Sequence, residues 1–259
     1  MNNNIDYDTF VRNPLNPVDF NDNYNDPLSD TLFSSSPSIL PISNSFNISS
    51  FNVNGLKTPG QGSFKMDQIS SFFSQYHISF GGIVDTHLSP KQMKFLSKRV
   101  CDYTSFHSDL DSSKHSRSSG GVSLFINNSL ATHVQFYQSH SSRILSVDLF
   151  FKGNVKLRIF IAAKRIHKLF HYLLSHNYED CTPLNFSSTL GTYHHLDTIT
   201  RIDFVWSCPL LRRHMLTLTI FDAYNLHISD HNPIITYFDA SLLSDAIKSA
   251  RARQLGHNT

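Results

Sequence analysis

Glutamate is almost missing from this chain: Glu179 stands alone among the 20 acidic residues of a 259-residue sequence. Tryptophan occurs once and cysteine three times, as Cys101, Cys181 and Cys208. An odd number of cysteines with no Cys-x-x-Cys pair argues against a disulfide framework and for a reducing compartment. No stretch approaches the ~18 consecutive apolar residues that a membrane helix needs, so no membrane partner is expected. The opening MNNNIDYDTF has neither the basic nor the apolar segment of a secretory signal. The expected location is the nucleus or cytoplasm, with no secretion. The scarcity of Glu also removes one metal motif. His167-x3-His171 has the spacing of a zinc helix, but Lys168 stands where HExxH has its Glu.

What is present points to a folded protein. Hydrophobic residues make up 40% and aromatics 12%, with 21 Phe, which excludes a wholly disordered chain, a coiled coil and a collagen-like fibre. Charge is uneven. Residues 1–50 hold six Asp against Arg12 alone, net −5; the rest hold 21 Lys and Arg against 14 acids, net +7. A basic globular part suits a polyanionic partner, though a solvated surface explains it as well.

Three regions follow. Residues 1–45 are rich in Asn, Ser, Asp and Pro and carry five of the ten prolines; without a sustained period of 2 or 3.6 they are expected to be disordered. Residues 46–240 read as a globular domain. Residues 241–259 read as a short basic helix or linker, with Lys248, Arg251 and Arg253.

Within the domain, Ile48 to Asn54 alternates, placing Ile48, Ser50, Asn52 and Asn54 on one face and Ser49, Phe51 and Val53 on the other. A helix is expected over 66–77, then a strand over 78–85, and Gly120-Gly121 opens a strand over 122–126. Strands over 144–151 and 155–163 flank Lys152-Gly153-Asn154, a hairpin turn. Apolar residues at 166, 169, 170, 173 and 174 predict a helix over 164–176, and strands are expected at 201–206 and 229–238. Strands with isolated helices predict a mixed α/β or α+β layered domain.

Polar residues recur at the strand ends: Asn52 and Asn54, Asp85, Asp203 on the 201–206 strand, and Asp230-His231 before the last one. A lone carboxylate between core hydrophobes calls for a cation or an imidazole partner, because an unpaired buried charge is costly. Taken singly, each is more often an ordinary cap or turn residue.

In order, SFNVNGL, IVDTHLS, GGVSLFI, RIDFVW and SDHNPI resemble the endonuclease/exonuclease/phosphatase superfamily, the DNase-I-like enzymes. The similarity runs from about Phe46 to Phe238 and is greatest to the endonuclease domains of LINE-type retrotransposons. That resemblance implies a four-layer sandwich of two β-sheets flanked by helices, here incomplete, with the active site at one edge. It implies Mg²⁺ (or Mn²⁺) as cofactor and DNA as partner. It also implies a link to a reverse transcriptase region in related full-length elements. Asp85, Asn54 and Asp230 would serve the metal, which prefers hard oxygen ligands and keeps several waters. His231, Asp203 and Asn52 would be catalytic: Asp203 fixes the tautomer of His231, His231 stabilises charge developing on the phosphate, and Asn52 lies beside the scissile phosphate. The reaction would be metal-assisted phosphodiester hydrolysis leaving a 3′-hydroxyl.

One family segment is missing. The family places a further helix and a strand ending in Gly-Asp-x-Asn after the strand at 155–163. Here that strand runs straight into the helix at 164, and no Gly-Asp dipeptide occurs anywhere in the chain. The family's Asp there aims the attacking water and its Asn holds the phosphate. The expectation is therefore an endonuclease domain severely impaired by internal loss, marginally stable. The alternative is a catalytically inactive remnant that at most binds nucleic acid.

Overall fold

The computed structural model describes residues 44–58, 60–109, 120–152, 155–163, 167–181, 191–195, 198–200, 202–223 and 228–241. The segments expected to be a disordered tail and a C-terminal basic helix lie outside the described residues, apart from their inner edges, as do residues 153–154 of the hairpin turn.

In chain order the elements are β1 (Ser45–Asn52), α1 (Gln61–Gln75), β2 (Phe80–Val84), α2 (Pro90–Leu96) with a 3-10 turn at Ser97–Arg99, β3 (Tyr103–His107), β4 (Val122–Asn127), α3 (Asn128–Ala131), β5 (Val134–Ser141), β6 (Ile144–Phe151), β7 (Val155–Ala162), α4 (His167–Ser175), β8 (Glu179–Asp180), β9 (Tyr193–His195), β10 (Thr198–Thr200), β11 (Trp206–Ser207), α5 (Pro209–Arg212), β12 (Met215–Ile220) and β13 (Ile234–Asp239). A six-stranded sheet has the order β12-β13-β1-β2-β4-β3, in which only β1 and β2 run parallel. A second, three-stranded sheet is β5-β6-β7, and two short pairs, β8–β11 and β9–β10, complete the set.

Both faces of the large sheet are covered. On one face α1 and α2 bring Met66, Ile69, Phe72, Phe73, Met93 and Leu96 onto Phe51, Ile83, Phe125 and Ile235. On the other, Phe46, Phe80, Leu124, Ile126 and Phe238 meet Leu145, Val147, Leu149, Ile159 and Ile161 of the second sheet. The period of two sorts the residues: Ser49, Phe51 and Val53 are buried while Ile48, Ser50 and Asn52 are half-buried. Each buried Phe or Ile contributes roughly 1.5–3 kcal/mol. β2 uses adjacent glycines for its two neighbours. A Cβ on Gly81 would lie 2.2 Å from the Phe73 ring, and one on Gly82 would lie 2.6 Å from Ile161 Cδ1, so both layers approach closely here.

Local signals explain the helix limits. α1 closes in a Schellman motif: His77 is left-handed (φ 48°), its N–H donates to Ser74 O, and Ile78 N–H donates to Phe73 O at 2.9 Å. α2 begins with a capping box of Ser89 and Gln92, with Pro90 in its first turn.

The outer face of the three-stranded sheet is open, with Phe136 55%, Phe150 43% and Phe160 39% exposed. β7 is an edge strand: it pairs with β6 from Ile144–Ala162 through to Phe151–Val155, and its other edge has no strand partner among the described residues. On the helix-covered face of the large sheet, His107 on β3 lies between Ser123 Oγ (2.9 Å) and Ser105 Oγ (3.2 Å). Burial, aided by the charge of Lys94, pushes its imidazole down to about 4.

The expected strand at 201–206 is not one. Arg201 lies outside the described residues, and 202–205 have no regular structure; only Trp206–Ser207 pair, with Glu179–Asp180. The backbone there bonds elsewhere: the N–H groups of Ile202 and Asp203 both donate to Thr192 Oγ1, and Val205 O accepts from Cys181 N. Phe204 and Trp206 do share a side, both facing Phe170, but Ile202 is 37% exposed. The last strand begins at Ile234, because residues 228–233 form the loop that carries Asp230 and His231. The helix expected over 164–176 is seen over His167–Ser175.

Candidate active site

β1 and β2 run parallel, so their C-terminal ends lie side by side, and both chains turn there with left-handed residues: Asn54 (φ 45°), Gly55 (φ 82°), Asp85 (φ 57°) and His87 (φ 58°). The turns are laced together by Val53 N to Val84 O, Gly55 N to Asp85 O (2.8 Å) and Leu56 N to Thr86 O (2.9 Å). A third segment lies under them: Thr86 N and His87 N donate to Gly121 O and Gly120 O. Gly121 has φ 83°, and a Cβ on it would stand 2.4 Å from Thr86 Oγ1, so only glycine serves.

On this frame Asn52 Nδ2 donates to Asp85 Oδ2 at 3.3 Å, and Asn52 Oδ1 accepts from Asn54 N. Asn54 Nδ2 reaches Asp230 Oδ1 at 3.2 Å, joining the end of β1 to the loop before β13. His231 Nδ1 lies 2.7 Å from Asp203 Oδ2. With the carboxylate accepting, Nδ1 carries the proton, and Nε2 has no partner among the described residues. Asn52, Asn54, Asp85, Asp203, Asp230 and His231 all line one cavity of about 1070 Å³. Asn54 departs from the strand alternation, because it sits beyond the end of β1 at positive φ.

Three supporting residues escaped the sequence reading. Thr192, fully buried, holds the backbone of Asp203 through its hydroxyl and accepts from Asn232 N through its carbonyl. Buried Asn232 donates from Nδ2 to Gly191 O, lies 2.7 Å from His194 Nε2, and accepts from Ala223 N. Between them they fix the separation of Asp203 and His231. Asn232 belongs to SDHNPI and was open to suspicion; Thr192 carries no signal at all. Lys65, on α1, is buried and donates to carbonyls of the turn after β1. Burial pulls its ammonium below the ordinary lysine range, with the Asp230 carboxylate opposing.

Among the described residues no three His, Cys, Asp or Glu gather closely enough to form a metal cage. One carboxylate oxygen nevertheless lacks a partner among the described residues: Asp85 Oδ1 is buried without a hydrogen bond. A hard cation bound through one or two carboxylates, with amide oxygens and water completing its shell, fits that donor set. A zinc cage does not.

No family model matches the sequence, and no curated protein matches it as a relative. Solved structures do match. An AP endonuclease from Leishmania major superposes with a TM-score of 0.61 at 9% identity, over 80% of this chain and 91% of that one. An AP endonuclease from Archaeoglobus fulgidus gives 0.57 at 11%, over 75% and 99%. The Neisseria 3′ phosphatase NExo, bound to a product DNA hairpin, gives 0.55 at 11%, over 75% and 99%. The fold is DNase-I-like. At these identities the likeness establishes the DNase-I-like architecture alone, and the chemistry must be argued from the side chains.

Proposed function

We propose that this protein is a divalent-metal-dependent phosphodiester hydrolase acting on DNA, of LINE-retrotransposon origin and weakened by loss of the segment that aims the attacking water. The observation that carries the reading is the His231–Asp203 pair at 2.7 Å, opening onto the cavity that Asn52, Asn54, Asp85 and Asp230 also line.

His231 presents Nε2 to a non-bridging phosphate oxygen while Asp203 holds Nδ1, so positive character is fixed where negative charge develops. Asn52 and Asn54 offer amide groups to the phosphate. Asp85, with Asp230, would hold Mg²⁺ or Mn²⁺, which when bound neutralises the phosphate and acidifies water. Water adds to phosphorus, the P–O3′ bond breaks, and the ends are a 3′-hydroxyl and a 5′-phosphate. DNA as substrate is supported by the motif strings and by the DNA-bound Neisseria neighbour. The retrotransposon origin rests on the strings SFNVNGL, IVDTHLS, RIDFVW and SDHNPI, and with it a reverse transcriptase region in full-length relatives. A reducing nuclear or cytoplasmic location accords with three free cysteines.

The impairment is argued from the absence of any Gly-Asp dipeptide and from the mere four residues between β7 and α4. Losing a positioned general base typically lowers rate ~10²–10⁴-fold. The same observation favours a second reading, an inactive remnant that retains nucleic-acid binding. Incubation with supercoiled plasmid and Mg²⁺ tests both. Slow nicking, ~10²–10⁴-fold below a complete DNase-I-like enzyme and stopped by EDTA, supports the enzyme. Retarded migration of DNA without nicking supports the remnant, and the absence of both nicking and retardation overturns both readings.

A further inference from the structure

Lys65 is 6% exposed and sits near the start of α1. Both facts make it a poor choice for stability. A buried ammonium loses its hydration, and a cation near a helix N-terminus opposes the helix dipole. Its neighbours Met66, Ile69, Phe72 and Phe73 are apolar and buried, so an apolar side chain would suit the helix–sheet contact better.

Its ammonium instead donates to three successive carbonyls: Val53 O at 2.9 Å, Gly55 O at 3.1 Å and Asn54 O at 3.4 Å. Successive carbonyls converge on one point only where something positive neutralises their dipoles. The turn that does so is the one between Asn52 and Leu56, with Asn54 and Gly55 at positive φ. It carries the Asn52 side chain to Asp85 and the Asn54 side chain to Asp230.

We propose that Lys65 is a positioning residue, whose ammonium pins the carbonyls of residues 53–55 so that Asn52 and Asn54 are held in register with Asp85 and Asp230. The pinning stands on the geometry; what it is for rests on the phosphodiester reading above. Lys65 touches neither substrate nor metal and acts through the two asparagines.

Lys65→Met keeps length and shape but removes the charge and its donors, and Lys65→Arg keeps a cation. Two readouts are compared with the wild type: backbone hydrogen exchange, and the kcat and KM of plasmid nicking. In Lys65→Met the amides of Gly55 and Leu56 should exchange at least ~10-fold faster, while those of β6 stay as they were. The Tm should fall by no more than about 5 °C. kcat should fall ~10–10²-fold with KM unchanged, as for a displaced reacting group, and Lys65→Arg should restore both readouts to within about threefold of wild type.

Unchanged exchange at Gly55 and Leu56 overturns the proposal, as does acceleration spread evenly over the chain. Failure of Lys65→Met to fold makes Lys65 a residue of the fold as a whole and also overturns it. Faster local exchange with undiminished kcat overturns the positioning role while leaving the phosphodiester reading intact. If the wild type does not nick, that reading falls, and the exchange comparison alone decides the pinning.

Discussion

The imidazole of His231 and the carboxylate of Asp203 meet at 2.7 Å although one belongs to the loop before β13 and the other to an irregular segment hung from Thr192. Neither element places the pair alone; the strand-like contact of residues 192–194 with 230–232 does, through His194 N to Asp230 O and Asn232 N to Thr192 O.

Because the two side chains act as a unit, their losses should not add. His231→Ala should lower nicking ~10²–10³-fold, Asp203→Ala at least about tenfold, and the double variant no further than His231→Ala alone. Initial rates on supercoiled plasmid measure all three. Multiplicative losses would show that the hydrogen bond is incidental.

The proposed metal role of Asp85 predicts that metal and stability are linked. Asp85 Oδ1 is buried without a hydrogen bond, and if it holds the proposed metal, Mg²⁺ should raise the Tm of the wild type by mass action. Asp85→Asn should be at least as heat-stable as the wild type in EDTA and should lose the Mg²⁺-dependent rise. The Mg²⁺ needed for half-maximal nicking should increase by ~10–100-fold or more. Thermal melts with and without Mg²⁺ check this independently of activity.

His107 makes the fold acid-sensitive. Its folded value, about 4, lies below the ordinary 6.5, so between those limits the unfolded chain binds more protons. Stability is therefore complete above about pH 6.5 and declines as pH falls towards 4, by at most ~3 kcal/mol from this group. Urea midpoints at pH 7, 5.5 and 4.5 should fall in that order, and His107→Asn should flatten the trend.

Gly81→Ala tests the packing of α1 on the sheet. The added methyl would meet the Phe73 ring at 2.2 Å, and overpacking of this kind typically costs ~1–3 kcal/mol. A Tm lower by several degrees is expected, and Phe73→Leu in the same chain should recover part of it.

The fold was legible where periodicity and punctuation agree. The alternation read over Ile48 to Asn54 is a strand as far as Asn52, Ile144 to Phe151 and Val155 to Ala162 are strands, and the six polar positions drawn from the motif strings do line one cavity. Illegibility had physical causes. The alternation of residues 202–206 looks like a strand, but among the described residues only its end at Trp206 finds a strand partner, so the amides of Ile202 and Asp203 turn to a threonine hydroxyl. Asn54 was read as a strand residue because sequence alternation does not show where φ changes sign. Lys65 was invisible because a lysine beside a buried stripe ordinarily reaches for water, and only the converging carbonyls reveal why this one does not.

The edge of β7, without a strand partner among the described residues and beside the exposed Phe150 and Phe160, has a consequence for handling the protein. Such a rim is a ready template for another chain's strand, and Lys156 and Arg158 are the gatekeepers standing against it. Association of copies along that rim is therefore expected to rise with concentration, which light scattering over a dilution series checks.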